Sequence, residues 1–94
     1  MPVDPIGIGA MAPLPTASAN GTPLSLPAGT TGVQFYLPTG ASVTYTVAHD
    51  QPSSPPTALF TMTAAAPTTF QELLANGQQV FVTAFTGAIV YRAL

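Results

Sequence analysis

The chain has no cysteine, no tryptophan and no lysine, and only one arginine among its 94 residues. Without cysteine, no disulfide can reinforce a core that, at this length, buries only about 60–65% of the surface exposed by the unfolded chain. Thiolate zinc sites are excluded too. Charge is scarce in both signs. Asp4, Asp50, Glu72 and Arg92 are the only formally charged side chains, 4% of the chain, against about 25% in a typical soluble domain. Phosphate backbones and anionic headgroups are held by Lys and Arg, so neither nucleic acid nor a membrane surface is an expected partner. No apolar run approaches the roughly 18 residues that suggest a spanning helix. The start, Met1-Pro2-Val3-Asp4-Pro5, lacks the basic region of a targeting signal.

Thr, Ser, Gln and Asn must therefore supply nearly all the polar surface. Free soluble domains are usually kept apart by mixed surface charge, whereas a subunit covered by neighbours has no such need. The composition points to a component of an assembly.

Residues 1–30 differ from the rest. Pro2, Pro5, Pro13, Pro15, Pro23 and Pro27 are interleaved with Gly7, Gly9, Gly21 and Gly29. Proline removes a ladder donor and biases the residue before it to extended shapes. This segment reads as an extended Pro/Gly/Ala-rich arm, and residues 31–94 as a β domain. The arm carries Val3, Ile6, Ile8, Met11, Leu14, Leu24 and Leu26, residues in which disordered tails are poor. It is expected to dock on its own domain or on a neighbour.

From Val33 onward the side chains alternate. Val33, Phe35 and Leu37 are separated by Gln34 and Tyr36, and Val43, Tyr45 and Val47 by Thr44 and Thr46. This is the period of half-buried strands, here joined by a Pro38-Thr39-Gly40 turn. Asp50 to Pro56 is a loop, and Ala58 to Thr63 reads as a third strand. Thr69-Phe70-Gln71-Glu72 fits a capping box and Asn76-Gly77 a helix stop, which predicts a helix of one or two turns; a loop plugging the core is the alternative. Val80 to Phe85 and Ala88 to Ala93, joined through Thr86-Gly87, read as a hairpin. The expected fold is all-β, a small, mostly antiparallel sandwich or barrel. Val80 to Phe85 has neither charge nor proline, the signature of a strand that must be covered. A closed homodimer or homotrimer would cover it.

His49 is the one side chain whose ordinary pKa lies near neutrality, and Ser42, Ser53 and Ser54 are close to it in sequence. Its neighbour Asp50 would point to the opposite strand face and, before Gln51-Pro52, fits a turn residue. Asp4, His49, Asp50 and Glu72 share no metal-ligand spacing. Gly7-Ile8-Gly9 follows no strand and opens no helix, so it is no nucleotide loop. Asn20-Gly21-Thr22 matches a glycosylation acceptor but reads as a turn. No catalytic, cofactor-binding or metal-binding residue is assigned, and neither enzyme activity nor a cofactor is expected. Arg92, following Tyr91 in an apolar strand, either donates to a carboxylate or to carbonyls across an interface or faces solvent.

Val43-Thr44-Tyr45-Thr46-Val47, the following Asp50-Gln51-Pro52, and the late pair Val80-Phe81-Val82-Thr83-Ala84 and Thr86-Gly87-Ala88-Ile89-Val90 carry one further signal. Through them, the stretch from Ser42 to Leu94 resembles small β-structured virion proteins of tailed bacteriophages. The charge-poor, Thr/Ala/Gly/Pro-rich composition is similar to that of phage capsid accessory proteins. The resemblance implies a cement or decoration subunit on the capsid surface of a virion, with the major capsid protein or other virion proteins as partners. A phage neck or tail component is the alternative of the same class. From a different class, a carbohydrate-binding or adhesion module would use Tyr36, Tyr45 and Tyr91 as its aromatics.

Overall fold

The computed structural model describes residues 11–94. They form eight strands: β1 (Met11–Pro13), β2 (Thr22–Pro23), β3 (Gly32–Leu37), β4 (Ser42–Ala48), β5 (Phe60–Thr63), β6 (Thr68–Leu73), β7 (Gln79–Thr86) and β8 (Val90–Ala93). The pairing follows one scheme. β4 runs antiparallel to β5, β3 to β6, β2 to β7 and β1 to β8. The two halves of the chain are thus the arms of one long hairpin whose tip is the Asp50–Pro56 loop. Register scarcely drifts along it: Ser42 faces Thr63, Leu37 faces Thr68, Pro23 faces Phe81 and Pro13 faces Val90. The ribbon is rolled so that β8 also pairs with β3, and β7 with β4. Two four-stranded sheets result, ordered β1-β8-β3-β6 and β2-β7-β4-β5. Eight strands rolled into two sheets in this order form a jelly roll.

Alternation fixes what lies between the sheets. Val33, Phe35 and Leu37 face inward from β3, and Val43 and Tyr45 from β4. Val80, Val82, Ile89 and Tyr91 join them from the second arm. The Phe35 and Tyr45 rings stack across the two sheets at 5.4 Å.

The all-β expectation holds, and several local expectations do not. No helix occurs among the described residues; the segment with the capping-box pattern is strand β6. Thr68, Phe70 and Glu72 also alternate with Thr69 and Gln71, so the same residues suit a strand. A helix of one or two turns has a costly nucleus, whereas six residues of β6 pair directly with β3. The last two strands form no hairpin with each other. β7 and β8 lie in different sheets, and Thr86-Gly87 begins a corner between them. At that corner Gly87 has φ 92°, and a Cβ there would lie 2.7 Å from that of Ala41.

Nor is Val80–Phe85 an edge. β7 lies inside its sheet, flanked by β2 and β4, so the chain itself covers the backbone thought to need a neighbour. Its apolarity on both faces has two causes. First, the register with β4 shifts between Thr44, which faces Ala84, and Tyr45, which faces Val82. Thr83 is the extra residue of a β-bulge, which lets both Val82 and Phe85 turn toward the core. Second, Phe81 points away from the core cluster yet is only 1% exposed. It faces Thr46 on β4 and Pro23 on β2. Around it, Thr46 donates to the Ala58 carbonyl at 2.8 Å and Gln51 Nε2 to the Gly21 carbonyl at 3.0 Å. The ribbon tip and the β1–β2 connection are thereby folded over the outer face of the sheet.

Of the arm expected over residues 1–30, residues 1–10 lie outside the described part. From Met11 onward the segment rests on its own sandwich. Ala12, Leu14 and Leu24 are buried in its core, and Leu14 and Leu24 donate backbone hydrogen bonds to Ile89 and Val80.

Phe81 and Gly21 test this second, outer core. Gly21 has φ 96°, and a Cβ there would lie 2.6 Å from Phe81 Cβ. Phe81→Ala should destabilise the chain by about 3–5 kcal/mol. Gly21→Ala, which combines strain with a clash against backbone-linked atoms, should cost at least about 1–3 kcal/mol. Urea unfolding curves monitored by tyrosine fluorescence measure both.

Candidate functional site

Two constellations stand out. The first lies on the side of the sandwich where β5 and β6, joined through residues 64–67, form the free edges of the two sheets. Four aromatic rings line this side. Phe35 stacks on Phe70 at 4.9 Å, and Tyr45 on Phe60 at 5.5 Å. The row runs from fully buried Phe35 to Phe60, which is 52% exposed. Glu72 faces inward from β6, opposite Val33, and accepts a hydrogen bond from the Tyr45 hydroxyl at 2.7 Å. Burial pushes the Tyr45 pKa far above its usual value, and the hydrogen bond to Glu72 and that carboxylate's charge add to the rise. Tyr45 thus remains a neutral donor, tying the two sheets together, and is unsuited to act as a nucleophile or base.

The second constellation is on the outer face of the other sheet. Strand register places Met11, Arg92, Gln34 and Gln71 in one row and Pro13, Val90, Tyr36 and Thr69 in the next. Arg92 Nε donates to Gln34 Oε1 at 2.7 Å, and the Tyr36 hydroxyl donates to the same oxygen at 2.6 Å. The guanidinium carbon lies 5.9 Å from the centre of the Tyr36 ring, within cation–π range. Arg92 is therefore fixed on its own sheet by a neutral acceptor and an aromatic ring, an arrangement neither sequence reading described.

His49 and Asp50 are exposed where β4 meets the ribbon tip. His49 lies against the β6–β7 turn, with Nδ1 3.2 Å from where a Cβ on Gly77 would be. Glu72 is committed to Tyr45. Among the described residues no three His, Cys, Asp or Glu gather closely enough to hold a metal ion. Asp4, Gly7 and Gly9 lie outside the described residues, and Asn20-Gly21 is a turn. Of the three tyrosines considered for a sugar face, Tyr45 and Tyr91 are buried. A cleft of about 580 Å³ opens between Leu24, Leu26, Pro27, Thr30, Leu74 and Gln78. A shallower hollow of about 350 Å³ adjoins Tyr36, Pro67 and Val90. Neither cleft is lined by an Asp, Glu, His, Lys or Arg side chain.

Sequence reasoning did not single out Gln34, Leu59 or Phe60. Gln34 was detectable only as the polar partner in the alternation of β3, and Phe60 only as one member of an apolar strand. No protein-family model matches the chain, and no curated protein or solved structure matches it.

Tyr45→Phe should lower stability at pH 7 by about 1 kcal/mol, since it deletes the donor to a half-buried carboxylate. Alkali should expose the same contact. The ordinary tyrosine pKa is 10.0, and burial raises those of both Tyr45 and Tyr91 above it. Their neutral forms are favoured by folding, so this stability is complete below pH 10 and falls as the pH rises above it. Melting temperatures followed by near-ultraviolet circular dichroism should drop above pH 10, and drop less in Tyr45→Phe.

Proposed function

We propose that this chain is a structural, non-enzymatic subunit of a virion, a capsid cement or decoration protein of a tailed bacteriophage. The observation that carries the reading is a jelly roll almost without charge: among its described residues only Asp50, Glu72 and Arg92 are formally charged. Of these, Glu72 and Arg92 are bound to neighbouring side chains of their own chain. A surface of Thr, Ser, Gln and Ala suits permanent contact with other subunits better than free solution. Jelly rolls recur in viral capsids, an analogy of fold that lends support without fixing the role. The fold also occurs in lectins, but of the three tyrosines Tyr45 and Tyr91 are buried and the Tyr36 ring is already engaged by Arg92.

Virions purified from the phage encoding this chain should contain it in a fixed ratio to the major capsid protein. Chymotrypsin is the protease of choice for detecting it by mass spectrometry, because Arg92 is the only residue at which trypsin can cut. Deleting the gene should lower the temperature at which heads lose their DNA. Peptides confined to the soluble lysate, with none in the virion, would overturn the reading.

A further inference from the structure

Among the described residues the sandwich has four edge strands, β1 and β6 in one sheet and β2 and β5 in the other. An edge strand offers unpaired backbone donors and acceptors, and proteins blunt such edges with brevity, proline or inward-pointing charge. Three of the four edges are blunted in these ways. β1 has three residues and ends in Pro13; β2 has two and includes Pro23. β6 directs Glu72 inward. β5, four residues long, lacks both chemical devices: Phe60-Thr61-Met62-Thr63 carries neither charge nor proline. Phe60 is 52% exposed and the adjoining Leu59 44%.

We infer that β5 pairs antiparallel with β5 of a second copy, about a two-fold axis through Thr61, joining two four-stranded sheets into one of eight strands. A second copy fits this edge for three reasons. An antiparallel pairing about a two-fold axis presents each strand's free donors to the other's acceptors, so the surface complements itself. No charged residue lies between Gln51 and Gln71, so nothing at the edge repels its own copy. The prolines at 55, 56 and 67 confine the pairing to the short segment between them.

Geometry also selects the register. Directly opposed residues of an antiparallel pair share a face. Phe60 and Met62 face the core side, opposite Tyr45 and Val43, while Thr61 and Thr63 face outward. The axis through Thr61 sets Phe60 against Met62 of the second copy twice, closing both exposed rings with thioether–aromatic contacts. It sets Leu59 against Thr63, and Thr61 against its own counterpart. Shifting the axis to Met62 would leave Phe60 opposite Ala64; shifting it to Phe60 would leave Met62 opposite Ala58.

The inference concerns the isolated chain and stands or falls separately from the virion role. Because the chain is cysteine-free, a single introduced cysteine reports one position. Opposed Cα atoms in an antiparallel pair lie about 4.5–5.5 Å apart, within the range a disulfide spans. Sedimentation velocity on the purified chain should show a species of two copies. Mild oxidation should convert Thr61→Cys to a covalent dimer, whereas Thr69→Cys, exposed on the guarded edge β6, should stay monomeric on denaturing gels. Thr61→Lys sets like charges opposite each other and should weaken the dimer roughly fivefold or more, with an unchanged circular dichroism spectrum showing that the fold survives. A wild-type chain that sediments as a monomer at all concentrations would overturn the inference. So would a dimer that Thr61→Lys leaves intact and Thr61→Cys does not cross-link.

Discussion

The whole structure depends on one constraint, the register between the two arms of the ribbon. Every strand of the first half is matched with one of the second, from Ser42–Thr63 near the tip to Met11–Arg92 at the far end. Side chains alternate with a period of two, so a slip of one residue would turn every inward side chain outward. Val33, Phe35, Val43 and Tyr45 on one arm, and Val80, Val82 and Tyr91 on the other, can all be buried only in this register. The core and the pairing therefore enforce each other.

Rolling the ribbon creates the remaining features. It brings β7 beside β4, where the arms do not match residue for residue, and the bulge at Thr83 absorbs the difference. The Thr83 hydroxyl donates to the Thr44 carbonyl at 3.2 Å, at the site of the mismatch. Rolling also leaves Phe81 on the outer face, where the folded-back tip and the β1–β2 connection seal it. Tyr45 and Glu72 join the two sheets near their open edges, and burial keeps that contact neutral on the phenol side.

Scarcity of charge has a structural counterpart. With one arginine in the chain, the sheet face around it is organised by hydrogen bonds: Gln34 serves Arg92 and Tyr36 with a single oxygen. With few charges to guard edges, the fold relies on proline and short strands, and uses its one inward glutamate on β6. The edge left over, β5, is also the end of the aromatic row. The proposed assembly role and the proposed two-fold contact thus draw on different observations, the first on the surface as a whole and the second on a single strand.

Residues close together in sequence determined much of this by themselves. The alternation in β3 and β4, the turn at Pro38-Thr39-Gly40 and the loop after His49 are local patterns, and each is found where the residues placed it. The near-absence of charge is also a property of composition alone. Other features could be decided only by tertiary structure. Thr68–Leu73 suits both a short helix and a strand, and six residues of pairing with β3 decide for the strand. The Thr86-Gly87 turn marks a change of direction but not which sheet receives β8; the rolled ribbon decides that. Val80–Phe85 has the same residues whether it is an edge or a centre, and only the neighbours β2 and β4 make it a centre. Gln34 and Arg92 are 58 positions apart, and Tyr45 and Glu72 are 27. No short-range pattern links such pairs, because their proximity comes from the register of strands that meet only when the chain has folded.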